Sequence, residues 1–176
     1  GACSPPPPSY RRGVRGEGTP MNIRARIVDD EPLARERIRL MLRDEVDIEV
    51  AAECGDGPAA VAAIKQLSPD LLFLDVQMPG MDGFEVLRAI GKDRMPVVVF
   101  VTAYDQHALK AFEAHALDYL LKPFKPARFK ETIQRAREHL ANREAGVVSK
   151  NLAALLGQAR PEREFVSRIA VKTGER

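Results

Sequence analysis

Residues 96–101 read PVVVFV and residues 71–74 read LLFL, two short runs with no polar residue between the apolar ones. Strict alternation would predict a sheet with one wet face; these runs predict strands covered on both faces. Three consecutive valines crowd a helix and suit a pleated, buried surface. Strands of this kind need one layer of helices above them and another below, so the chain must be a parallel sheet inside an α/β sandwich.

The rest of the sequence supplies those layers. Residues 23–28 predict a first strand that ends in Asp29 and Asp30, and Pro32 then opens a helix with Ala34, Ile38, Met41 and Leu42 at helical spacing. Residues 48–52 predict a second strand and residues 55–57 a turn, and Ala60, Ile64 and Leu67 mark a second helix. A third helix is expected over 84–90, a fourth over 105–115 and a fifth strand over 117–121. The last helix carries Phe129, Ile133, Ala136 and Leu140 on one stripe. Five strands alternating with five helices predict a five-stranded parallel sheet sandwiched between helix layers. Arg26 interrupts the first strand and is expected to snorkel to a sheet end.

Composition bounds the class. A chain of 176 residues, 45% hydrophobic, supports one domain of ordinary size. Its formal charge of +2 is accounted for by Arg11, Arg12 and Arg15 against Glu17 in the first 20 residues, so charge makes no case for nucleic acid. Cys3 in a proline-rich stretch and Cys54 at a strand end suggest no disulfide framework, and a reducing cytoplasm fits. No apolar run reaches the length of a membrane-spanning helix. Residues 1–20 are expected to be a disordered extension, or sequence upstream of a start at Met21. The globular domain then covers 21–143 and a linker 144–163. Residues 164–176, with FVSRIAVKTGER alternating around a Thr-Gly turn, read as the start of a truncated β-rich domain.

An open parallel sheet binds ligands beyond the carboxyl ends of its strands. Asp29 and Asp30 follow the first predicted strand, Asp75 the third, Thr102 the fourth and Lys122 the fifth. Two carboxylates about 5 Å apart repel by roughly 3 kcal/mol at an effective dielectric near 20, so such a cluster must protonate or recruit cations. An oxygen-only donor set favours Mg²⁺. A divalent ion and an ammonium beside a lone carboxylate suit phosphoryl transfer, with Asp75 as the nucleophile and the Thr102 hydroxyl donating to the phosphoryl group.

The strings IVDDEP (27–32), LDVQMPGMDG (74–83), VTAYD (101–105) and DYLLKPF (118–124) together resemble the receiver domain of bacterial two-component response regulators. The resemblance covers 21 to about 143 and implies a doubly wound (βα)5, flavodoxin-like receiver fold around a five-stranded parallel sheet. It implies Asp75 as phosphoacceptor, Asp29 and Asp30 as metal-binding acids, and the main-chain carbonyl of Gln77 as a further metal ligand. Thr102 would be the switch hydroxyl, Tyr119 the rotating aromatic and Lys122 the phosphate-pairing lysine, followed by a cis bond to Pro123. The wording QHALKAFEAHALDYLLKPF (106–124) further resembles the subgroup with a LytTR-type DNA-binding output domain. Expected partners are a sensor histidine kinase, a second copy through the face from the fourth predicted helix to the fifth, and DNA only through the missing output domain. A cytoplasmic phosphoacceptor is implied, not an enzyme beyond its own phosphorylation and dephosphorylation.

Other readings stand beside these. Asp29 and Asp30 alone would be acids at a helix N-terminus, Thr102 a cap and Tyr119 a core aromatic. His107, His115 and His139 are read as surface residues on helices. Lys125, Arg128, Lys130, Arg135 and Arg137 are read as a solvated or dimer-forming face. As a whole, the chain could instead be a Mg²⁺-dependent aspartyl-phosphate phosphatase, which needs a cap and a further acid that the sequence does not display. It could also be a receiver-like interaction module that is never phosphorylated, although no acid or lysine of the set is lost.

Overall fold

A parallel sheet with strand order β2-β1-β3-β4-β5 organises the chain. The computed structural model describes residues 3–5, 22–93, 95–104 and 115–158. The strands are β1 (Ile23–Val28), β2 (Ile48–Cys54), β3 (Leu71–Leu74), β4 (Val97–Thr102) and β5 (Asp118–Leu121). The described helices are α1 (Pro32–Leu42), α2 (Gly57–Leu67), α3 (Gly83–Ile90) and α4 (Pro126–Gln158). The chain divides into two units, Gly1–Ala141 and Asn142–Arg176, and the sheet belongs to the first.

The reading of the apolar runs holds where the strands are interior. Every residue of β3 and β4 is buried, whereas edge strand β2 alternates between buried and more exposed positions. One face of the sheet packs Ile27, Phe73 and Val99 against Ile38 and Leu42 of α1 and the Phe129, Ile133, Ala136 and Leu140 stripe of α4. The other packs Leu72, Leu74 and Phe100 against Ala60 and Ile64 of α2 and Val86, Leu87 and Ile90 of α3. Strand order and helix layers together make a doubly wound α/β fold.

Several expectations change in detail. β2 runs two residues further than predicted, to Cys54, and Leu67 is exposed, so only Ala60 and Ile64 of its proposed stripe reach the core. Arg26 does not snorkel: it is fully buried, and its three guanidinium nitrogens have no hydrogen-bond partner among the described residues. Burial, with nearby Arg24 second, pushes its pKa down from the usual value. The strand is too deep in the sheet for an arginine side chain to reach water.

The two cysteines are bonded to each other, contrary to the expectation of no disulfide, and their Cα atoms lie 4.3 Å apart. Ser4 pairs antiparallel with Glu53 on the outer edge of β2. Part of the stretch expected to be disordered is therefore ordered by a free sheet edge, a contact no local pattern announces. α4 continues as helix through the first part of the expected linker, to Gln158. The fourth predicted helix, apart from His115, and the proposed β-rich start at 164–176 lie outside the described residues. His115 sits in a turn with φ of 56° rather than on a helix, and His139 is exposed on α4.

Candidate functional site

Three backbone hydrogen bonds carry the sheet one step past its strand ends. The Asp29 N–H donates to the Cys54 carbonyl (3.1 Å), the Asp75 N–H to Val28 (2.9 Å) and the Lys122 N–H to Thr102 (2.8 Å). Asp29, Asp75 and Lys122 are thus placed by neighbouring strands, not by loops, on the carboxyl edge of the sheet. Their side chains converge there. One carboxylate oxygen from each of Asp29, Asp30 and Asp75 lies within 4.8 Å of the others. Lys122 Nζ donates to Asp29 Oδ2 at 2.7 Å and to Asp75 Oδ2 at 3.3 Å, with Glu31 Oε1 at 3.4 Å.

Charge in this cluster is incompletely balanced. Asp29 and Asp75 are buried, and burial raises the pKa of Asp29 to about 6 against the opposing pull of Lys122 and the Glu31 N–H, with Asp75 adding repulsion. Asp75 is also raised by burial, opposed by Lys122 and by the Gln77 N–H at 3.1 Å. For Lys122, burial pulls downward, but Asp29, Asp75 and Glu31 together outweigh it and push the ammonium up. The three aspartates against the one ammonium leave about two negative charges, before the exposed Glu31 beside Lys122 is counted. A hard divalent cation with oxygen ligands fits that deficit.

The loop after β3 opens this edge to solvent. Asp30, Gln77, Pro79 and Asp82 border a depression of about 530 Å³. Gly80 takes the turn at φ of 82°. At Gly83 a Cβ would lie 2.5 Å from the backbone oxygen of Asp75, so only glycine lets α3 begin this close to the acid. Asp82 caps α3 reciprocally with Glu85, which fixes where the loop ends.

The remaining sequence-predicted residues are close by. Thr102 is buried at the end of β4, and its hydroxyl has no hydrogen-bond partner among the described residues; it is near enough to help hold charge on Asp75. Tyr119 is half-buried on β5, its hydroxyl donates to the Tyr104 carbonyl, and its ring lies 6.5 Å from that of Phe100. The Lys122-Pro123 bond is cis.

Sequence reasoning missed four residues here. Glu31 reaches Lys122, Arg35 donates to the Asp29 carbonyl at 2.6 Å, and Glu53 pairs with Arg39 at 2.8 Å. The first could have been suspected from the DDE run; the other three depend on how α1 lies against β2. Two residues of the expected solvated basic face are structural instead. Arg128 binds Asp118 at 2.8 Å, and Arg137 binds Asp47 and Glu45 at 2.7 Å each.

Residues 25–134 match the family profile of the response regulator receiver domain. The transcriptional regulatory protein BtsR of Salmonella typhi is 44% identical over 133 residues, covering 76% of this chain and 56% of that protein. An uncharacterized response regulatory protein of Yersinia pestis is 48% identical over 118 residues, 67% of this chain and 50% of that one. The chain spans about half the length of these curated relatives. Among solved structures, the response regulatory domain of MrkE from Klebsiella pneumoniae aligns with a TM-score of 0.65 at 29% identity, covering 68% of this chain and 99% of that one. The REC domain of AraT, a response regulator from Geobacillus stearothermophilus, aligns at 0.64 and 33%, covering 70% and 99%. The sheet has the flavodoxin-like receiver form. A match of this extent, over the part of the chain that carries the sheet and its acidic rim, makes the chain a member of the response regulator receiver family of two-component systems.

Proposed function

We propose that this chain is a phosphorelay receiver that accepts a phosphoryl group on Asp75 from a histidine of a sensor histidine kinase. The observation that carries the reading is the buried Asp75 carboxylate set 3.3 Å from an ammonium and within 4.8 Å of two further acids. In the transfer an Asp75 oxygen bonds to phosphorus, the phosphorus–nitrogen bond to the imidazole breaks, and the imidazole leaves with a proton. Asp29, Asp30, Asp75 and the Gln77 carbonyl would hold Mg²⁺, which when bound supplies positive charge to the phosphoryl oxygens. Lys122 exchanges its carboxylate partners for a phosphoryl oxygen. The orphaned Thr102 hydroxyl is a donor in waiting for another. Movement of Thr102 toward Asp75 vacates space beside Phe100, into which Tyr119 turns after its bond to Tyr104 breaks.

That rearrangement alters the outer end of β4 and β5 and favours pairing of two copies through the face between the fourth and fifth predicted helices. Full inversion of a 1:99 equilibrium needs about 5.5 kcal/mol, a demand that several charge-assisted hydrogen bonds approach. The likeness to BtsR, a protein named as a transcriptional regulator, and the strings at 106–124 and 165–176 support a cytoplasmic regulator that contacts DNA through a LytTR-type output domain. No external substrate is turned over. Incubation with a small acyl phosphate and Mg²⁺ labels the wild-type chain and leaves Asp75→Asn unlabelled; equal labelling of the two overturns the assignment.

A further inference from the structure

The phosphorelay reading uses neither cysteine, yet the two stand opposite each other across the edge of the sheet. Ser4 and Glu53 exchange both backbone hydrogen bonds: the Ser4 N–H donates to the Glu53 carbonyl at 2.9 Å and the Glu53 N–H to Ser4 at 3.0 Å. In an antiparallel pair, the positions next to such a doubly bonded pair face each other without hydrogen bonds, with Cα atoms about 4.5 Å apart and side chains at their closest. Cys3 and Cys54 occupy that position, at 4.3 Å. A one-residue slip in this register would turn Cys3 to the other side of the strand and away from Cys54.

We propose that Cys3 and Cys54 form a redox modification site, a reversible disulfide whose oxidising partner is a low-molecular-weight disulfide such as glutathione disulfide. Cys54 is wholly buried and Cys3 is partly open, so Cys3 is the first to react. Its thiolate attacks glutathione disulfide and expels one glutathione thiolate. Cys54, having lost its proton to water, then attacks the Cys3 sulfur of the mixed disulfide and expels the second. The two cysteines lose two electrons and two protons in all, and glutathione disulfide becomes two thiols. In the reducing compartment proposed above, a bridge of this kind responds to redox state instead of serving as permanent structure.

The bridge fastens the N-terminal segment to the side of β2 away from β1. It also borders the acidic rim. The Cys54 carbonyl receives the Asp29 N–H at 3.1 Å, and Glu53 ties to Arg39, while Arg35 donates to the Asp29 carbonyl at 2.6 Å. Oxidation therefore clamps the end of β2, whose Cys54 carbonyl accepts the Asp29 N–H, and reduction releases the clamp without removing any residue of the phosphoryl site.

The test is an equilibrium titration of the full chain in glutathione redox buffers, quenched by thiol alkylation and read by mass spectrometry of unreduced digests. The expected result is a Cys3–Cys54 linked peptide whose yield follows a two-electron curve and vanishes in excess reductant. Mixed glutathione adducts alone, or free alkylated thiols throughout, overturn the proposal. Ser4→Pro keeps both cysteines and removes the N–H that sets the register; it lowers the equilibrium constant for bridge formation roughly tenfold, and an unchanged constant overturns the pairing argument. The relocated pair Cys3→Ser with Ser4→Cys closes no bridge to Cys54, and equal closure counts against it. The same titration on Asp75→Asn gives the wild-type curve, so failure here is separate from failure of the phosphoacceptor reading.

Discussion

Asp118 at the start of β5 and Asp29 at the end of β1 are both largely buried carboxylates beside a cation, and their acidities move in opposite directions. Around Asp118, burial works to raise the pKa, but Arg128, the Thr132 hydroxyl at 2.7 Å and the Tyr119 N–H together hold it below the usual carboxylate range. Around Asp29, burial prevails and the value rises to about 6. The difference lies in the ratio of donors to acids. Asp118 is bound by the planar guanidinium of Arg128, with Arg135 a second cation at 3.4 Å, whereas Lys122 is one point charge divided among Asp29, Asp75 and Glu31. A satisfied carboxylate stabilises a fold; an under-neutralised cluster is left ready for ligands.

Opposite signs on mutation are the sharpest check of that contrast. Asp118→Asn should lose about 2–4 kcal/mol of stability, because Arg128 is left partly unpaired in a half-buried place. Urea unfolding measures it, and an unchanged midpoint would dissolve the contrast from one side. Asp29→Asn should gain about 1–3 kcal/mol at pH 7 without divalent ions, since the neutral amide removes a charge that burial disfavours. A loss in that variant would dissolve it from the other.

Acidity offers a subtler test. Asp29 binds its proton more tightly in the folded chain, so its contribution to stability is complete below its ordinary value of 3.8 and is lost as pH rises through about 6. Mg²⁺ competes with that same proton. Affinity for the ion, followed by calorimetry, should therefore fall up to tenfold for each pH unit below about 6, and a flat profile between pH 5 and 7 would contradict the raised value. Asp118 runs the other way: its contribution is present above the ordinary carboxylate pKa and fades as pH drops through its lowered one. The smallest expected effect is at Thr102. Thr102→Val removes a buried hydroxyl that has no partner among the described residues and should stabilise the chain by at most about 1 kcal/mol. It should still take up phosphate yet dimerise no more tightly afterwards, as gel filtration before and after phosphorylation would reveal.

Most of the site could be read from the linear chain because strand ends are local features. An apolar run stops, a polar residue follows, and parallel topology brings all such residues to one edge. Asp29, Asp30, Asp75, Thr102 and Lys122 were found in this way, and the core stripe of α4 by its period. Arg26 was misjudged because local pattern reports neither how far a strand lies from water nor whether a cation has a partner. Arg128 and Arg137 looked solvated because Asp118, Glu45 and Asp47 approach them from other elements.

Hydrophobic periodicity and turn residues acted over a few positions at a time, and they were enough to determine a parallel sheet between helix layers with acids along its carboxyl edge. Contacts between distant segments were decided by three-dimensional packing alone: which acids share Lys122, whether Asp29 or Asp118 finds enough donors, and how Ser4 settles beside Glu53 to bring Cys3 against Cys54. Charge balance and sheet register depend on distances through space, and spacing along a chain does not encode those.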